Sequence, residues 1–172
     1  MTTIVRLWED FVLPVGDALH CADGYSCAVA LDPGAPGGVR VGAPFDLDDL
    51  LRRDPSWVSS VDGLTAVDLG SGGLLWGGEG SHGSEGFIAR LTADRALVWA
   101  MFFAESNPFD RIRLSRNTAT ATATFTSTAG YAITVNADDP RTPPPGLRRH
   151  PRPWTAAGCC TETVTEQGDR AK

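Results

Sequence analysis

The amino-acid sequence predicts an α+β domain that is mainly β, with an antiparallel five-stranded meander in the C-terminal half, additional short N-terminal strands and one or two short helices. Three observations carry this prediction. Five segments between Gly86 and Asn136 (GFIARLT, ALVWAMFFAE, RIRLS, TATATATFT and YAITVNA) are rich in β-branched or aromatic residues and are separated by turn-forming stretches. One of them alternates with the period of a half-buried strand. Elsewhere, LDDLLRRDP has the spacing and end signals of a short helix.

In TATATATFT, Thr118, Thr120, Thr122 and Thr124 fall on one face and Ala119, Ala121, Ala123 and Phe125 on the other, which should look inward. The stretch Leu97 to Phe103 is apolar on both faces. Leu97, Trp99, Met101 and Phe103 form one side and Val98, Ala100 and Phe102 the other, as expected for a central strand with a layer over each face. That cover needs a second layer, which the N-terminal half must provide, and TIVRLW, SCAVALD, GVRVG, LTAVDL and GLLWG read as its short strands. Asp46 is placed to cap a helix in which Leu47, Leu50 and Leu51 share a face, Arg52 and Arg53 suit the C-terminal dipole, and Pro55 lies just beyond the end.

A length of 172 residues suits one ordinary domain plus a tail. The domain should span residues 1–138. From residue 139 to 172 the chain concentrates proline and arginine in RTPPPGLRRHPRPW, followed by a stretch of low apolar content, and reads as a disordered or loosely attached tail. The first 25 residues lack a secretory pattern because Glu9 and Asp10 interrupt the apolar stretch, and no run approaches the roughly 20 apolar residues of a membrane helix. The expectation is a soluble, cytoplasmic protein. A composition rich in Ala, Gly, Arg and Pro and nearly free of Lys points to a high-GC bacterial gene.

Composition also excludes chemistry. The only lysine is Lys172, so the loop lysine of a phosphate-loop nucleotidase, the strand lysine of a kinase and the Schiff-base lysine of a pyridoxal enzyme are all missing. Cys21, Cys27, Cys159 and Cys160 match neither a disulfide framework nor zinc-ligand spacing, and His20 beside Cys21 adds little to a metal reading. There is no GxSxG elbow around Ser81 or Ser84, and only His20, His82 and His150 are available as a catalytic base. A cysteine nucleophile at Cys21 or Cys27 paired with His82 has only the presence of the residues in its favour.

The stretch WGGEGSHGSEGF, residues 76–87, contains Gly78-x-Gly80-x-x-Gly83, the spacing of a phosphate-binding loop. Its glycines run into the strand GFIARLT, whereas a dinucleotide loop must open a helix whose N-terminus holds the pyrophosphate. Glu79, His82 and Glu85 recur every third residue, and in a curved loop they could converge as metal ligands or as a carboxylate-oriented imidazole. Trp76 and Phe87 should anchor the loop. Glu105, Ser106 and Asn107 should lie at the opposite rim of the sheet, one strand length away.

Residues 1–140 carry nine arginines against eighteen Asp and Glu, a formal −9, and residues 141–172 carry six basic against three acidic groups, a formal +3. An acidic domain repels nucleic acid and attracts a basic protein. The reading is therefore a non-catalytic module that binds a protein partner, with a bacterial immunity protein neutralising a basic toxin as its most concrete form. Trp76, Glu79, His82 and Glu85 are the candidate contact residues, with no cofactor, metal or membrane expected and the oligomeric state open. The alternative is a small-ligand or metal-dependent enzyme that uses Glu79, His82 and Glu85.

Overall fold

The computed structural model describes residues 1–70, 72–116 and 121–144. In chain order the elements are helix α1 (Thr3–Glu9), strands β1 (Val12–Pro14), β2 (Ala18–Cys21), β3 (Ser26–Leu31) and β4 (Val39–Pro44), helix α2 (Leu47–Arg53), and strands β5 (Val58–Ser60), β6 (Asp62–Asp68), β7 (Gly73–Glu79), β8 (Gly86–Thr92), β9 (Leu97–Phe103), β10 (Phe109–Arg116), β11 (Ala121–Ser127) and β12 (Ala132–Asn136). Every strand pair is antiparallel, so the fold is α+β and mainly β, as the sequence predicts.

A seven-stranded sheet in the order β4-β3-β2-β9-β8-β7-β6 forms the middle layer. The three-stranded sheet β10-β11-β12 covers one face, where Leu19, Leu75, Ile88, Trp99, Met101 and Phe103 meet Phe109, Ala123, Phe125 and Ile133. The two helices and the β1-β5 ribbon cover the other, where Ile4, Trp8, Leu13 and Leu47 meet Phe87, Leu91, Leu97 and Phe102. Each large side chain sealed this way contributes about 1.5–3 kcal/mol of transfer free energy. β9 is buried on both faces, and Ala123 and Phe125 of β11 point inward while Thr124 bonds Thr134 across the strand pair at 2.9 Å.

The C-terminal segments do pair in sequence, but they divide between two sheets. β8 and β9 stay in the large sheet, where β2 takes the place beside β9, and β10 crosses to the second layer after a corner at Asn107 (φ 57°) and Pro108. Three further expectations are corrected. TIVRLW is helix α1, because Ile4 and Trp8, four residues apart, are buried together and define a helical stripe. The strict alternation of β9 fails at its start: a bulge pairs Arg90 with Trp99 and Leu91 with Leu97, so Leu97 joins the helix-side core and Val98 packs on the other side. SCAVALD, GVRVG, LTAVDL and GLLWG do not form a second layer: they are strands β3, β4, β6 and β7 of the same sheet as β9, and FVLP, ALHC and VSS add β1, β2 and β5, which are too short to show a period in sequence.

Helix α2 is capped as expected, with the Asp46 carboxylate accepting from the Asp49 amide at 3.0 Å. Beyond β12 the chain stays attached through residue 144: Trp99 Nε1 donates to the Ala137 carbonyl at 3.0 Å, Pro140 and Pro144 are buried, and Arg141 pairs with Asp139 and lies over the Tyr25 ring at 5.5 Å. The tail reading for the later residues, with His150, Cys159 and Cys160, lies outside the described residues. Among the described residues no helix is long and apolar enough to cross a membrane.

Candidate functional site

The glycine-rich loop joins β7 to β8 and closes on itself. Gly80 N–H donates to the Glu85 carbonyl at 3.4 Å and Glu85 N–H to the His82 carbonyl at 2.9 Å. Packing requires two of the three patterned glycines. A Cβ on Gly78 would meet the Asp62 carbonyl and the Phe87 ring, and one on Gly80 would meet the Glu85 carboxylate. The third, Gly83, has open space around it.

Glu85 is the centre of the loop. The residue is only 6% exposed, and three donors satisfy its carboxylate: Ser59 Oγ at 2.8 Å and the His82 amide at 3.1 Å on Oε2, and His82 Nδ1 at 3.2 Å on Oε1. A buried carboxylate without such donors would be strongly unfavourable, and charge-assisted bonds of this kind are the stronger class. Because a carboxylate only accepts, Nδ1 of the imidazole carries a hydrogen, and Nε2 lies on the exposed ring. Ser59 Oγ also accepts from the Ser81 amide at 3.0 Å, and Ser60 Oγ lies 3.1 Å from Ser81 Oγ. The loop is thus bolted to the β1-β5 ribbon by a network of serines, one of which is buried.

Of the four candidate residues, His82 and Glu85 are brought together and Trp76 lies on the same side of the sheet. Glu79 is not with them: strand alternation puts it with Leu75 and Gly77 on the face toward β10, where a Cβ on Gly77 would lie 3.0 Å from the Phe109 carbonyl. The expected convergence of Glu79, His82 and Glu85 therefore does not occur. Among the described residues no group of three or more His, Cys, Asp or Glu side chains is placed to hold a metal ion. A single carboxylate-oriented imidazole remains, which is suited to hydrogen bonding or proton transfer at the surface.

Glu105, Ser106 and Asn107 are not at the opposite rim. The β8-β9 hairpin returns to its own starting edge, pairing Gly86 with Phe103, so Asn107 N–H donates to the Ser84 carbonyl at 2.8 Å and a Cβ on Gly86 would collide with Asn107 and Ser106. Two strand lengths, not one, separate the segments along the chain.

Trp76 stands at the hub of four rings, with centroids 5.8 Å from Trp8, 5.9 Å from Phe11 and 5.9 Å from Phe87, all edge to face. Its indole fills the space that a side chain on Gly63 would need. Phe11 holds a left-handed backbone (φ 53°) and is half exposed. The sequence reading missed Ser59, Ser60 and Phe11. A buried glutamate demands donors, but nothing in VSSVD marks it as the supplier.

The remaining reactive side chains lie in the core. His20 is fully buried on the helix-side face, with Nδ1 2.9 Å from Ser26 Oγ, its ring edge-on to Phe45, and no partner for Nε2 among the described residues. Burial lowers its pKa to about 4. Cys21 and Cys27 are free thiols in the opposite core, and burial pushes Cys21 up to about 11 and raises Cys27 too, the state of an inert thiol. They face the three-stranded sheet, away from the ribbon that carries the His82 loop, so no cysteine–histidine pair forms there. No family model matches the chain, and no curated protein or solved structure matches it.

Proposed function

We propose that the protein is a non-catalytic binding module that meets a basic protein partner through its acidic surface, using the rim that carries Trp76, His82 and Glu85, with Glu79 at the same end of β7 on the opposite face. The observation that carries this reading is the state of Glu85: its carboxylate is engaged by Ser59 and twice by His82, which makes the loop a rigid surface to be recognised rather than a reactive centre. A preorganised loop loses little entropy on association, and the formal −9 over residues 1–140 would steer a cationic partner. Neutralisation of a basic toxin by a bacterial cytoplasmic immunity protein is the most concrete form of that role.

The test is affinity copurification of the tagged protein from lysate of its own host at low and high salt, with the recovered proteins identified by mass spectrometry. One roughly stoichiometric basic protein, lost at high salt, is the expected result, and recovery of nothing specific would refute it. The oriented imidazole of His82 favours a second reading, a small-ligand enzyme. That reading requires His82→Ala to abolish an activity or a bound ligand while the fold is retained.

A further inference from the structure

Five large apolar side chains are markedly exposed among the described residues: Met1, Phe11, Val41, Leu64 and Tyr131. One of them, Phe11 at 49%, packs edge-on against the indole of half-buried Trp76. The four-ring cluster of Trp8, Phe11, Trp76 and Phe87 thus reaches solvent through Phe11.

The surroundings of that opening are acidic. Glu9 and Asp10 immediately precede Phe11 and are exposed, and the Phe11 carbonyl accepts from Val61 N–H at 2.8 Å, which ties the turn to the start of β6. Arg6, one turn back on α1, is turned toward Thr3 with a 3.3 Å bond. Val12 pairs with Ser60, so the patch is continuous through the ribbon with the Ser81 and His82 loop.

An exposed aromatic ring beside carboxylates matches one kind of side chain, a cation with an apolar stem. We propose that the Phe11–Trp76 pair, with Glu9 and Asp10, seats an arginine side chain presented by a basic segment of a protein partner. An arginine fits better than a lysine because its planar guanidinium stacks on a ring while its edge bonds carboxylates. The proposal rests on the binding-module reading above and names the chemistry of the contact.

The probe is a blocked peptide of alternating arginine and glycine, titrated calorimetrically into the full chain at low salt, with the same peptide carrying citrulline in place of arginine as the control. Phe11→Gly removes one ring while glycine keeps the left-handed backbone, so the variant should fold, which circular dichroism checks. The expected result is saturable binding of the arginine peptide alone, weakened about fivefold by Phe11→Gly and weakened with a flatter salt dependence by Glu9→Gln/Asp10→Asn. If Phe11→Gly binds like wild type while the double variant is weakened, the aromatic contact is overturned and the acidic-surface reading stands. If wild type does not bind the arginine peptide, or binds the citrulline peptide equally, the proposal is overturned, and the copurification decides the wider reading independently.

Discussion

Acidification from neutral pH should destabilise the domain through His20 before any acidic side chain contributes. An unfolded histidine titrates near 6.5, whereas burial in the helix-side core lowers His20 to about 4. Above pH 6.5 both states are neutral and the full stability is present. As pH falls below that value the unfolded chain takes up a proton that the folded chain refuses, so stability is lost at up to about 1.4 kcal/mol per pH unit. The loss is complete near pH 4 and amounts to about 3 kcal/mol, a large part of a typical 5–15 kcal/mol domain stability. Asp94 and Asp139, held below the ordinary carboxylate value by the Thr92 hydroxyl and the Arg141 guanidinium, contribute only at lower pH. The assay is urea unfolding at a series of pH values between 7 and 4.5 on wild type and on His20→Gln, whose amide can still bond Ser26 but cannot take up the proton. Wild type should lose stability across this window more steeply than the variant. Identical pH profiles for the two proteins would refute the reasoning.

Three other outcomes follow from the packing. Gly63→Ala forces a methyl group into the Trp76 indole and should lower stability by about 1–3 kcal/mol, with a changed tryptophan emission; unchanged thermal unfolding would contradict the placement of that ring. Glu85→Ala strands the Ser59 hydroxyl and the His82 amide, and should cost about 1–3 kcal/mol while speeding hydrogen exchange at the loop amides and leaving the amides of β9 protected. Asp46→Ala removes the α2 cap and should cost about 1 kcal/mol in urea unfolding, with the exchange of the Asp49 amide rising first.

The parts of the fold that were legible in sequence are those where one face of one element meets one environment. The Ala123 and Phe125 alternation and the Asp46 cap depend only on neighbours along the chain, and both stand in the structure. Helix α1 was not legible, because TIVRLW is β-branched and only seven helical residues long, and its helicity is decided by the burial of Ile4 and Trp8 against the sheet. The Leu97 and Val98 exchange depends on a bulge that the partner strand imposes. At the candidate site the glycine spacing correctly indicated a strand-to-strand loop. The network that fixes the loop comes from Ser59 and Ser60, more than twenty residues earlier, and the separation of Glu79 from His82 and Glu85 depends on where β7 ends. Distances of that kind are set by tertiary pairing, which composition and local period do not encode.

The central claim is that complementary charge brings a basic protein to this rim. Its most direct test is the association rate constant of the purified protein with the basic partner recovered by copurification, measured from about 0.1 M to about 1 M salt, over which the screening length shrinks from about 10 to about 3 Å. The account predicts a rate that falls steeply with salt, and less steeply when Glu9 and Asp10 are neutralised together. A rate that is flat across that range would contradict it.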